Sequence, residues 1–177
     1  LLVLTGQAAR TKRIVEERTA ELSQINQDLE REVLIRKRAE EEVDRFFSLS
    51  LDLLCIAGTD GYFKRLNPAF EETLGFTNEE LLAKPFFDLV HPEDMEATVA
   101  EIGKLSLGEP TLYFESRFRT RKGTYRWLSW TCKPVTEEGL LYATARDVTV
   151  LKETEQELRR AKDEAEASSR AKSDFLA

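Results

Sequence analysis

Leu53-Leu54-Cys55-Ile56-Ala57-Gly58-Thr59-Asp60-Gly61-Tyr62-Phe63-Lys64-Arg65-Leu66-Asn67-Pro68 sets the architecture of this chain. Residues 53–58 form a short apolar run, and Asp60-Gly61 is a strong hairpin-turn signal. Residues 62–66 then return as a second strand. Asn67-Pro68 breaks that strand and starts a helix, because proline is tolerated in the first helical turn.

Downstream, the local signals change to helix. Residues 68–74 read as a short helix closed by Gly75. Thr77, with Glu80 three positions on, is a capping box for a helix over 78–83, and Pro85 ends it. Residues 86–90 form one more turn. His91-Pro92-Glu93-Asp94 leads into a longer helix over 94–105, with Met95, Val99 and Ile102 on its apolar face. Gly108-Glu109-Pro110 stops it.

Three strands follow. Residues 111–120 place Leu112, Phe114, Ser116 and Phe118 on one face. Arg121-Lys122-Gly123 turns the chain into a strand over 124–135. Trp127 and Trp130, three apart, face opposite sides of it: one belongs in the core, the other on the outer face or against a helix. A further turn at 136–139 leads to the last strand, 140–146. Strands, then helices, then strands predict an α+β domain with helices on one face of an antiparallel sheet.

Upstream, residues 8–45 contain neither glycine nor proline. Ile14, Leu22, Ile25, Leu29, Val33, Ala39 and Val43 recur at near-heptad spacing, with a stutter between Leu29 and Val33. The pattern suits a two-stranded coiled coil, with a solvated single helix as the alternative. After Asp147-Val148-Thr149 a second helix carries Leu151, Thr154, Leu158, Ala161, Ala165, Ser168, Lys172 and Phe175 at steps of 4 and 3. The spacing is a heptad, but the side chains are small or polar, so the seam is weakly held. A low-complexity solvated helix is the alternative.

Composition limits the function. The net charge is −7 with both signs interleaved, which argues against a nucleic-acid surface. Two cysteines, Cys55 and Cys132, give no disulfide framework and suit a reducing compartment. With His91 the only histidine, a structural zinc site is not expected. No complete transmembrane span is present, yet Leu1 to Leu4 is apolar and Arg10, Lys12 and Arg13 follow. These residues are expected to be the cytoplasmic end of a membrane helix, with a natural start or a cloning remnant as the alternatives.

The middle of the chain resembles a PAS domain. The likeness rests on Asp60-Gly61, Leu66-Asn67-Pro68-Ala69-Phe70, Leu74-Gly75-Phe76, Glu79-Glu80-Leu81-Leu82, Phe87-Asp88-Leu89-Val90-His91-Pro92-Glu93-Asp94, Gly123-Thr124-Tyr125-Arg126-Trp127-Leu128 and Asp147-Val148-Thr149. The tail, Ala171-Lys172-Ser173-Asp174-Phe175-Leu176-Ala177, is similar to the run that leads into the dimerisation domain of sensor histidine kinases. Diguanylate cyclases also follow PAS domains, but their linkers usually lack this run. The stretch from Thr5 to Arg10, with Val15 to Leu22, resembles the helix that leaves the membrane in kinases with an extracytoplasmic sensor domain.

The resemblance implies a PAS fold, a five-stranded antiparallel sheet with short helices on one face, over residues 46–147. Signalling helices flank it over 1–45 and 148–177. It implies a non-catalytic relay within a two-component sensor kinase on the cytoplasmic side of the bacterial inner membrane. The parent would dimerise through parallel helices and PAS domain, pass phosphate to a response regulator, and leave this fragment soluble. An independent small-molecule sensor and a dimerisation module are the alternatives.

Residues 68–107 contain no cysteine, which excludes a photochemical flavin adduct. His91 belongs to its loop and is not a haem ligand. The candidate core or pocket residues are Ile56, Phe70, Leu74, Phe86, Val90, Met95, Val99, Ile102, Phe114 and Phe118. They are read as a filled core without cofactor or metal, a free flavin or other small ligand being the alternative. In the family strand order Cys55 and Cys132 are separated by the last strand, roughly 9–10 Å apart, too far for a disulfide. Asp147 and Thr149, with Leu151, Thr154, Leu158, Ala161 and Ala165, are expected to couple the sheet to the output helix.

Overall fold

The structure is a computed structural model that describes the backbone of residues 2–176 and the side chains of residues 10–167. Leu1 to Leu4 and Ala171 to Ala177, on which the membrane-end and kinase-linker expectations rest, lie outside the described side chains. So do Ser168, Lys172 and Phe175 of the second seam. The chain divides into two units, Leu1–Phe46 and Phe47–Ala177.

The first unit is helical, within α1 (Leu2–Leu49). Leu22, Ile25, Leu29, Val33 and Val43 are exposed along it. Pairs such as Arg13–Glu17 (3.1 Å) and Arg36–Glu40 (3.0 Å) decorate its surface. Such exposed pairs contribute about 0.3–0.5 kcal/mol each, too little to hold a helix of this length. Helices draw most of their stability from packing of an apolar face.

In the second unit, β1 (Leu53–Gly58) and β2 (Phe63–Leu66) form the hairpin that Asp60-Gly61 predicts. Gly61 takes φ +88°, which its lack of a Cβ makes cheap. Next come α2 (Ala69–Leu74) and α3 (Asn78–Leu82). Gly75 closes α2 in the left-handed conformation, and its N–H donates to the Glu71 carbonyl. At α3 the Thr77 side chain accepts from the Glu80 N–H while the Glu80 carboxylate accepts from the Thr77 N–H, so the capping box is complete. Two 3-10 turns, Phe86–Leu89 and Pro92–Asp94, lead into α4 (Met95–Ser106). The sheet is completed by β3 (Thr111–Arg119), β4 (Tyr125–Val135) and β5 (Leu140–Asp147), and α5 (Thr149–Leu176) follows.

The sheet is antiparallel throughout, in the order β2-β1-β5-β4-β3. The core lies between its inner face and the helices. Leu53, Phe70, Leu74, Leu128 and Leu141 are fully buried there, each contributing about 1.5–3 kcal/mol. Asn67, with no exposed surface, pins the hairpin. Its Oδ1 accepts from the Leu54 N–H (2.9 Å), and its Nδ2 donates to the Asp52 carbonyl (2.9 Å) and the Ser50 carbonyl (3.3 Å).

Two expected faces are corrected. Val99 is 53% exposed, and the inward stripe of α4 is Met95, Thr98, Ile102 and Leu105. Thr98 takes the inner position because its hydroxyl donates to the Asp94 carbonyl (2.8 Å), which removes the cost of burying it. Leu112 is 78% exposed. The β3–β4 register pairs Thr111 with Cys132 and Phe114 with Trp130, so an extra residue bulges between them and breaks the alternation. Thr111 turns inward instead.

Candidate functional site

Two places in the second unit have chemistry beyond packing: the junction between sheet and α5, and a cavity beneath α4.

At the junction, β5 ends opposite Leu128 of β4, one position past Trp127. The chain then continues the ladder by other means. The Val148 N–H donates to the Trp127 carbonyl (2.9 Å), and the Trp127 N–H donates to Thr149 Oγ1 (2.9 Å). The Thr149 hydroxyl and its own N–H (2.9 Å) both donate to Asp147 Oδ1. Asp147 thus caps the first residue of α5, and its other oxygen lies 3.6 Å from Arg126. One residue, Thr149, is bonded to both strand and helix.

One turn on, Lys152 reaches back to the sheet. Its ammonium lies 2.6 Å from Glu115 on β3 and 5.8 Å from the Trp127 ring centre. The Tyr113 hydroxyl also donates to Glu115. Burial works to raise the Glu115 pKa, but the bonds from Lys152 and Tyr113 outweigh it and hold it below the usual range. The same carboxylate raises the Lys152 pKa. Trp127 also carries the Arg117 guanidinium at 5.0 Å from its ring centre, while Trp130 lies in the core. Each tryptophan therefore has one of the two expected locations.

Along α5, Leu151, Thr154, Leu158, Ala161 and Ala165 are exposed. Asp147 and Thr149 meet at the junction. Sequence reasoning missed Glu115 and Lys152, which nothing local brings together.

The cavity holds about 70 Å³ between the sheet and α4. Of the ten candidate residues, Phe86, Ile102, Phe114 and Phe118 line it. Phe70, Leu74 and Val90 are buried in the core but away from its wall, and Met95 packs against the core. Ile56 is corrected, as Val99 was. Leu53, Cys55 and Ala57 are the inward residues of β1, so Ile56 falls on the other face. The wall includes residues the sequence reading left out, among them Thr98, Glu101, Thr111 and Cys132. A polar residue at an inward strand position was the available signal, and Ser116 carried it. The volume is far below the ~300–1,000 Å³ of pockets for drug-sized ligands, so an isoalloxazine or haem ring does not fit this side-chain arrangement.

Cys55 and Cys132 both pair with Ala143, from β1 and from β4. They are free and buried. Burial raises both thiol pKa values, that of Cys132 to about 11 with the Glu101 carboxylate as a second cause. Neither has thiolate character at neutral pH. His91 serves its loop. Its Nδ1 accepts from the Glu93 N–H (3.2 Å), and its ring meets Tyr125 edge-on at 4.5 Å. Next to it, Arg117 binds Asp94 with both Nε (2.9 Å) and Nη2 (2.6 Å), and its backbone N–H adds a third bond (2.8 Å). The Arg117 side chain bonds hold the Asp94 carboxyl below the usual range. Among the described residues no cluster of three or more His, Cys, Asp or Glu is arranged for a metal, and no helix is long and apolar enough to cross a membrane.

Comparison with known proteins agrees with this geometry. Residues 63–143 match the family model of the PAS fold. A domain of a sensory box sensor histidine kinase/response regulator from Geobacter sulfurreducens superposes with a TM-score of 0.54 at 25% identity, over 62% of this chain and 94% of that one. The PAS domain of the quorum-sensing receptor RpfR from Cronobacter turicensis, in complex with BDSF, gives 0.50 at 26% identity, over 58% and 98%. The chain is 33% identical over 108 residues to "Probable diguanylate cyclase DgcE" of Escherichia coli K12, a match covering 58% of this chain and 10% of that protein. The chain therefore spans about a tenth of the curated relative it matches. The domain has the PAS fold.

Proposed function

We propose that this PAS-fold chain is the relay section of a two-component sensor histidine kinase. In it a conformational change passes through the PAS domain into α5 and on to a kinase module outside this chain. The observation that carries the proposal is the Thr149 junction. Its hydroxyl joins the Trp127 backbone to the Asp147 cap, so a shift of β4 or β5 moves the start of α5. No catalytic step belongs to the chain itself. Asp147, Thr149, Leu151, Thr154, Leu158, Ala161 and Ala165 carry the signal.

The parent acts as a parallel homodimer anchored in the inner membrane, with a response regulator as its phosphate acceptor. The exposed apolar positions of α1 and the weak α5 seam support pairing of like helices. A seam of Thr154, Ala161 and Ala165 suits two arrangements of similar energy. Leucine at these three positions is expected to lock the output of the full-length protein in one state, and an unaltered signal response would refute the relay.

The match to a diguanylate cyclase favours a second reading, in which the same relay drives a cyclase. Purified full-length protein separates the two. Autophosphorylation from ATP on histidine is the expected result; conversion of GTP to cyclic diguanylate without phosphohistidine would replace the kinase by the cyclase. The RpfR domain in complex with BDSF supports a third reading, a small-molecule sensor in its own right.

A further inference from the structure

The relay needs no ligand, so what fills the cavity beneath α4 is an independent matter. Two buried polar groups on its wall, the Ser116 hydroxyl and the Trp130 indole N–H, have no hydrogen-bond partner. The third such atom among the described residues, Asn78 Oδ1, is not on this wall. An unpaired buried donor is destabilising, and native folds rarely leave one without a reason. Here two share one cavity.

Their placement is a consequence of register. Phe114 pairs with Trp130 and Ser116 with Leu128, so Ser116 and Trp130 are diagonal neighbours on the inner face. Backbone positions so related lie on the order of 7–8 Å apart, within reach of one small group between the two side chains. An indole N–H only donates, and a carbonyl oxygen with two lone pairs can accept from it and from the serine hydroxyl together. The neighbouring wall is apolar, made by Phe114, Phe118, Leu105 and the two thiols.

Among the described residues, Glu101 is the one charged side chain on the wall. It is held there by the Thr111 hydroxyl at 2.6 Å and Lys104 at 3.0 Å. Those bonds keep it ionised below the usual carboxylate range. Lys104 is spent on this pair and mostly in solvent, and among the described residues no Lys or Arg lines the cavity to receive an anion. The β3 bulge is what turns Thr111 inward to fix Glu101.

We propose that the cavity binds a small uncharged carbonyl compound, whose oxygen accepts hydrogen bonds from Trp130 Nε1 and Ser116 Oγ, and that Glu101 excludes carboxylates. Its alkyl part lies against Phe114 and Phe118. At 70 Å³, and with roughly 10–15 Å³ needed per water-sized group, the ligand has about five or six heavy atoms.

The probes are 2-pentanone and butyrate, of equal heavy-atom count, in which a methyl group of one is an anionic oxygen in the other. The whole 177-residue chain is ¹⁵N-labelled and its two indole signals are assigned with W127F. At neutral pH, 2-pentanone is expected to move the Trp130 indole signal saturably and butyrate to leave it in place. S116A should weaken the ketone about 5–10-fold, as loss of one hydrogen bond does. It should also raise the thermal midpoint of the ligand-free protein, because it removes an unpaired hydroxyl. E101Q should admit butyrate. The proposal is overturned if the ketone gives no saturable shift, which would leave only water or packing at the two donors. Butyrate binding the unsubstituted chain as tightly as the ketone would also overturn it. So would unchanged ketone affinity in S116A, or an S116A chain that loses its dispersed spectrum, since the hydroxyl would then be structurally engaged.

Discussion

Replacing Thr149 by valine removes one oxygen and keeps the shape of the side chain. That oxygen accepts from the Trp127 N–H at 2.9 Å and is the donor of one of the two bonds on Asp147 Oδ1. Thr149 is buried, so water cannot replace it freely. Leaving the Trp127 N–H unpaired costs about 1–3 kcal/mol, and the lost bond to a carboxylate adds about 1 kcal/mol or more. The new methyl returns at most about 0.8 kcal/mol. The expected net loss is about 2 kcal/mol, concentrated at the start of α5. Hydrogen exchange is the direct assay. The Lys152 amide, bonded to the Val148 carbonyl at 2.9 Å, reports the first turn of α5. It should exchange about 30-fold faster in T149V, the equivalent of about 2 kcal/mol. Amides at the centre of β1 and β5 should change far less. T149S keeps the oxygen and loses only a methyl, so its Lys152 amide should stay within about fivefold of the unsubstituted chain. Equal exchange in T149V and the unsubstituted chain, or equal acceleration in T149S and T149V, would refute the view that this hydroxyl joins sheet to helix.

Further outcomes follow from the same structure. K152A, which removes the 2.6 Å ion pair with Glu115 and the contact over Trp127, should speed exchange in the same turn by a smaller factor while urea unfolding of the sheet changes by less than about 1 kcal/mol. N67A removes three bonds at a site with no exposed surface and should lower stability in urea unfolding by about 3 kcal/mol. Asp94 has a lowered pKa in the folded state, first because of the Arg117 side chain. Its contribution is therefore complete above the unfolded-state value near 3.9 and is lost as pH falls through the lower folded value. D94N should cost about 2–3 kcal/mol at pH 7, and the difference from the unsubstituted chain should shrink below about pH 4. Thiol titration should find two free thiols in denaturant, and native protein should react slowly because both are buried.

Features set by neighbours in sequence were legible in it. The capping box of Thr77 and Glu80, the left-handed Gly75 and the Asp60-Gly61 turn each need only a few consecutive residues, and the structure has all three. The separation of the two cysteines by one strand followed from the family strand order. What escaped depended on distant pairing. The bulge that exposes Leu112 exists only in the register with β4. The preference for Thr98 over Val99 depends on how α4 is turned toward the sheet. Glu115 and Lys152 are far apart in the chain and meet only because α5 starts beside β4. Asn67, read as a strand breaker, proved to be a three-way tie, since its partners Leu54, Asp52 and Ser50 precede it by more than a dozen residues.

Only Val148 separates the last residue of β5 from the first of α5. A connection this short has no slack, so it behaves as a stiff pivot and α5 as a rigid arm. At 28 residues and 1.5 Å per residue, the arm is about 42 Å long. A tilt of about 5° at the pivot sweeps its far tip through about 4 Å, most of one helical turn's rise. Displacements of a fraction of an ångström under Thr149 are thereby geared up roughly tenfold at the tip, and the gain is set by arm length and hinge stiffness. Adding two or three flexible residues at position 148 would uncouple arm from pivot while leaving every contact within the sheet in place.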